Sequence, residues 1–84
     1  MQFLYTARFL RSLKKLPKLV QDDIISSIEE FKDKKNHKKL DLHKLHGEMK
    51  MYHTFSANFY YRVIIKINKK EIYFMDVGTH EVYK

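Results

Sequence analysis

The chain has no cysteine, a single proline, Pro17, and only two glycines in 84 residues. Lack of cysteine removes the disulfides that staple many small folds and leaves no sign of an oxidising compartment. The scarcity of proline and glycine leaves no linker, and no repeat or low-complexity segment breaks the sequence. No apolar run approaches the roughly 20 residues of a membrane span. The opening MQFLYTARFLRS interrupts its apolar residues with Gln2, Thr6, Arg8 and Arg11, so it lacks a signal-peptide core. No histidines stand at zinc-ligand spacing, and no cofactor box is present. These absences predict one soluble, cytoplasmic domain over residues 1–84, with no membrane partner, no metal and no small-molecule cofactor.

What the chain does have is aromatic residues and positive charge. A domain of this size buries about 60–65% of its unfolded surface, so its six phenylalanines and six tyrosines must supply much of the core. The net charge is +7 with a pI near 9.6. A field of that sign attracts nucleic acid, an anionic membrane surface or an acidic protein. The charge is concentrated between Lys32 and Lys50, where seven lysines and His37, His43 and His46 face only Asp33, Asp41 and Glu48. A solvated helix end and loop is the ordinary reading, and it suffices for His37 and His46. The run adjoins a histidine-bearing strand, however, which marks Lys35, Lys38, Lys39, Lys44 and Lys50 as candidate contacts to a nucleic-acid phosphate backbone.

Periodicity organises the chain. Residues 2–6 alternate as a short strand ending at Thr6, a suitable helix N-cap. Phe9, Leu10, Leu13 and Leu16 then share one helical face, with Arg8, Arg11, Lys14 and Lys15 on the others. Pro17 ends that helix and suits the start of a second, whose Val20, Ile24, Ile25, Ile28 and Phe31 recur at helical spacing. After the lysine and histidine segment the period becomes two, predicting strands at 51–56, 59–67 and 71–77. The expected architecture is α+β, in the order βααβββ, with a helical hairpin on a mostly antiparallel four-stranded sheet.

Two segments carry candidate chemistry. In FYYRVIIKI, Arg62 lies among aromatic and β-branched residues, where an unpaired charge is costly unless it sits on an exposed face. In DVGTHEVYK, a strand pattern stops at Gly78 and presents His80 and Tyr83. If Ala57 and Asn58 form a two-residue hairpin turn, His53 falls opposite Arg62 and Phe55 opposite Tyr60. That register would let two cations share one phosphate.

The order of elements, with KLHG at 44–47, YRV at 61–63 and the GTHEVY ending, resembles the RelE/ParE superfamily of toxins from bacterial toxin-antitoxin modules. The resemblance spans nearly the whole chain and is nearest to the RelE and YafQ branch. It implies a metal-independent endoribonuclease that cuts messenger RNA in the ribosomal decoding site, with ribosomal RNA and a cognate antitoxin as partners. Within it, Arg62 matches the arginine on the scissile phosphate and His80 the C-terminal proton-transfer histidine. Tyr83 matches the late aromatic that stacks on a base, and His43 and His53 match positions of further catalytic residues. Ser56 stands where YafQ-like members have a second histidine, and Asp76 where several relatives carry an arginine.

Such a reaction needs a base for the 2′-hydroxyl, cations for the charge growing on phosphorus and an acid for the leaving 5′-oxygen. Arg62 would stabilise the phosphate, His80 would act as acid or base, and His43 or His53 would complement it. ParE members share the fold but poison DNA gyrase without these residues. A gyrase inhibitor, or a non-catalytic RNA- or ribosome-binding module, is therefore the alternative expectation.

Overall fold

The computed structural model describes residues 1–79. Strand β1 (Gln2–Tyr5) leads into α1 (Ala7–Lys14) and α2 (Lys18–Phe31). Four strands follow: β2 (His43–Lys44), β3 (His53–Ser56), β4 (Tyr61–Asn68) and β5 (Glu71–Thr79). Their order across the sheet is β1-β5-β4-β3-β2, with β1 parallel to β5 and the other pairs antiparallel. The α+β class and the helical hairpin are as expected. The sheet has five strands rather than the four expected, because His43–Lys44 pairs with Thr54 and His53. Two residues carry no period of their own, so only pairing with β3 makes them a strand.

Thr6 caps α1 as its residue type predicts: its Oγ1 accepts from Phe9 N–H at 3.1 Å. Its hydroxyl also donates to the carbonyls of Phe74 and Met75, tying the helix start to β5. The amphipathic faces of both helices then meet the sheet. Phe9, Ile24, Ile28 and Phe31 pack against Phe55, Val63, Ile65, Ile72, Phe74 and Val77 in one core. His37 is half-buried at the edge of this core: its ring stacks on Phe31 at 4.7 Å, and Nε2 lies 2.8 Å from the Phe31 carbonyl.

A β-bulge decides which side chains of β5 face away from that core. Ile65 pairs with Phe74 but Ile64 pairs with Asp76, so Met75 is the extra residue. Ile72 and Phe74 are core residues and so is Val77, an odd step that strict alternation from residue 71 forbids. Asp76 and Gly78 are thereby turned away from that core. Leu45, Thr54 and Ile64 are buried outside the main core. Met49 and Tyr52, in and just after a short turn at Gly47–Met49, line the same cavity as Ile64.

Candidate functional site

The β3–β4 connection differs from the two-residue hairpin expected, and this relocates a candidate residue. Asn58 Oδ1 accepts from the N–H groups of Tyr60 and Tyr61, both at 2.9 Å, and Ala57 N–H donates to the Tyr61 carbonyl. This side-chain-stabilised turn lengthens the loop, so Ser56 pairs with Arg62 and His53 with Ile65. Opposed residues share a face. His53 therefore lies on the Ile65 side of the sheet, and the expected pairing of His53 with Arg62 does not form.

His43 takes its place on the Arg62 face. It pairs with Thr54, which pairs with Ile64, which pairs with Asp76, while Ser56, Arg62 and Gly78 form the next row. On ordinary sheet spacings the His43 and Arg62 Cα atoms lie about 12 Å apart, close enough for two long side chains to converge on one phosphodiester. Asp41, which adopts a left-handed backbone (φ 57°) open to its residue type, holds the imidazole. His43 Nδ1 sits 2.8 Å from the Asp41 carbonyl and 3.8 Å from its carboxylate. With Nδ1–H donating to that carbonyl, the Nε2 lone pair is left available as a base.

Arg62 is half-buried and donates to the carbonyls of Asn58, Phe59 and Tyr61 at 3.3–3.4 Å. No carboxylate pairs with it among the described residues, so its charge is available to an anion. Opposite it in β5, Gly78 carries no side chain. At the loop tip beside Arg62, Phe59 and Tyr60 are 85% and 69% exposed, with ring centroids 5.2 Å apart. Periodicity assigned these two rings to the strand and missed this role; the Asn58 turn signal could have found it. His80 and Tyr83 lie outside the described residues. Thr79, just before His80, pairs with Tyr61.

The candidate RNA-binding lysines do not form one cluster. Lys39 pairs with Glu30 at 2.9 Å and Lys35 with Asp33 at 3.5 Å, near the end of α2. Lys38 lies between them in the chain, and Lys44 and Lys50 border a separate depression with His53, Lys66 and Asn68. Burial, and then the charges of Lys44 and His43, push the His53 pKa down. Its Nδ1 is buried with no hydrogen-bond partner among the described residues. An imidazole disfavoured as the cation in the folded state binds fewer protons than the unfolded chain just below its ordinary value of about 6.5. Stability contributed by His53 is therefore present above that pH and is lost as pH falls towards the depressed folded value. Urea midpoints at pH 7.5 and pH 5 are expected to differ less in His53→Gln than in the parent; equal differences would remove His53 as the source.

The fold now has known counterparts. The RelB–RelE antitoxin–toxin complex of Methanococcus jannaschii has a chain matching this one with TM-score 0.74 and 27% identity, over 95% of this chain and 93% of that one. The RelE–RelB complex of Pyrococcus horikoshii matches with TM-score 0.73 and 19% identity, over 96% of each chain. A variant of E. coli YafQ matches with TM-score 0.74 and 14% identity, over 98% and 96%. The chain has the RelE-like toxin fold. No protein-family model and no curated protein matches it in sequence. On this RelE-like frame, Arg62 stands on β4, the strand between β3 and β5, while His43 comes from the short edge strand β2.

Proposed function

We propose that the protein is the toxin of a toxin-antitoxin pair and acts as a ribosome-dependent endoribonuclease on translated messenger RNA. The observation that carries this reading is the shared sheet face of Arg62 and His43, a guanidinium with no carboxylate partner among the described residues and an imidazole held through Nδ1. Arg62 binds a non-bridging phosphate oxygen and stabilises the charge that grows there. His43 Nε2 takes the proton of the 2′-hydroxyl as that oxygen attacks phosphorus. The bond from phosphorus to the 5′-oxygen breaks, and an acid returns a proton to the leaving oxygen. His80, directly after Thr79 in the chain, is assigned as that acid on the family resemblance, and Tyr83 as a base-stacking residue. The products are a 2′,3′-cyclic phosphate, or its hydrolysed form, and a 5′-hydroxyl.

Phe59 and Tyr60 supply exposed rings beside Arg62 for stacking against flanking bases. A cognate antitoxin is assigned as partner because similar folds occur in RelB–RelE antitoxin–toxin and RelBE toxin-antitoxin complexes. The +7 charge favours fast association with an acidic segment.

Primer extension on translating ribosomes tests the reading. New 5′ ends are expected with the parent protein, and His43→Ala should lower the rate by about 100-fold or more, the range for a lost general base. His53→Gln should change it less than fivefold. Absence of new ends with the parent, together with loss of gyrase supercoiling, would replace the nuclease with a gyrase inhibitor. A larger loss from His53→Gln than from His43→Ala would overturn the assignment of the base.

A further inference from the structure

Beside the sheet face of Arg62 stands a second arginine, supplied not by a strand but by α1. Strand β1 ends at Tyr5, paired with Phe74, so the β5 edge beyond Phe74 is free for α1. The bulge at Met75 turns Asp76 towards that edge, and its carboxylate accepts three hydrogen bonds. Ser12 Oγ donates at 2.6 Å, Arg8 Nε at 3.1 Å and Val77 N–H at 2.8 Å. The Asp76 side chain is 13% exposed, whereas that of Arg8 is 74% exposed. Only Nε of Arg8 is engaged among the described residues, so its terminal nitrogens have no acceptor there. The ion pair fixes a guanidinium fork and leaves its binding edge open.

Beside this fork is an open cavity of about 230 Å³ lined by Arg8, Met49, Tyr52, Ile64, Met75 and Asp76. It is smaller than pockets for drug-sized ligands. Its walls are one phenol ring, two thioethers and an aliphatic residue, surfaces that suit one planar base. Asp76 and Arg62 are diagonal neighbours across β4 and β5, with Cα atoms about 7–8 Å apart. Arg8 and Arg62 therefore present two cations along one line of the same face.

We propose that this cavity is a nucleotide subsite, in which Arg8 binds a phosphodiester of single-stranded RNA and Tyr52 receives the adjoining base between Met49 and Met75. The inference rests on the nuclease reading for its substrate class but concerns residues that reading does not use. Arg8, delivered from α1 and held by Asp76, supplies a cation beside a position where β5 carries a carboxylate. An acidic peptide could also meet Arg8, but it would leave the ring and thioether walls without a planar partner.

Fluorescence anisotropy with a short 2′-O-methyl oligoribonucleotide, which cannot be cleaved, tests the subsite on the full chain. Arg8→Gln should weaken binding about tenfold, as one charge-assisted contact to an ion is lost. It should also lower the magnitude of the salt slope by about 0.7. Tyr52→Leu should weaken binding about fivefold or more, the range for a lost stacked base. An abasic site scanned along the oligonucleotide should weaken parent binding at one position and make no further difference in Tyr52→Leu. Lys18→Ala, on an exposed face of α2, should bind as the parent. If Tyr52→Leu fails to fold, the abasic scan on the parent decides alone.

Parent-like binding by Arg8→Gln, a flat abasic scan, or failure of the parent to bind the oligonucleotide would overturn the proposal. So would loss of binding to poly-glutamate with RNA binding unchanged. The two readings fail separately. A parent that binds the oligonucleotide through Arg8 and Tyr52 but yields no new 5′ ends on ribosomes retains the subsite and loses the nuclease. A parent that cuts, with Arg8→Gln binding and cutting equally well, retains the nuclease and loses the subsite.

Discussion

Arg62→Ala is expected to lower messenger RNA cleavage by about 100- to 1,000-fold, the cost of removing one preorganised donor from a charged transition state. Arg62 emerges from the strand that β3 and β5 flank, next to Ser56 on one side and Gly78 on the other. Its bonds to the loop carbonyls are long, at 3.3–3.4 Å, so they contribute little stability, and the variant should remain folded. A urea curve near that of the parent, with toxicity on induction abolished, is the expected pair of results. Arg62→Lys separates charge from geometry. It keeps the cation but loses the planar fork, and should recover part of the rate without reaching the parent. Cleavage within about threefold of the parent in Arg62→Ala would sink the phosphate role, because one guanidinium in that role is worth far more.

The largest loss of stability is expected from Phe74→Ala, about 3–5 kcal/mol for removing a buried aromatic ring. Phe74 is fully buried in β5, paired with Tyr5 on one side and Ile65 on the other. Its ring stacks on Tyr5 with centroids 4.7 Å apart and touches those of Phe9, Phe31 and Phe3 at 5.8–6.2 Å. Phe74 therefore joins both helices to the centre of the sheet. Domains of this size hold only about 5–10 kcal/mol in total, so the variant is expected near the threshold of unfolding. Chemical denaturation should show the midpoint falling by a third or more with cooperativity retained. Phe74→Leu, which keeps most of the volume, should cost about 1–2 kcal/mol. A loss below 1 kcal/mol in Phe74→Ala would mean that the ring cluster does not hold the layers together.

The helices were legible because their information is local. Leu13, Ile24, Ile28 and Phe31 repeat at helical spacing, Thr6 is a capping residue and Pro17 a break, and each acts within one or two turns of chain. Val63 and Ile65 stand two apart in the period-two run and share the core face of β4. The site was only partly legible. Arg62 is marked by a charge among apolar neighbours, but the shortest hairpin turn places His53 opposite it and leaves the choice between His43 and His53 open. The Asn58 side chain satisfies two backbone donors and lengthens the loop, and that change of register carries His53 to the other face.

The sequence by itself determined the two helices and the four longer strands, the excess of positive charge and Arg62 as a charge among apolar strand residues, since periodicity and charge are properties of neighbouring residues. Tertiary structure decided which histidine shares the Arg62 face, that His43–Lys44 is a strand at all, and that Asp76 turns outward to hold Arg8. Each of these depends on a register: the β3–β4 loop, the β2–β3 pairing and the bulge at Met75. A strand alternates with period two, so one residue gained or lost in a loop or bulge reverses every side chain beyond it. Local sequence preference carries no count of that residue. The packing of distant strands does.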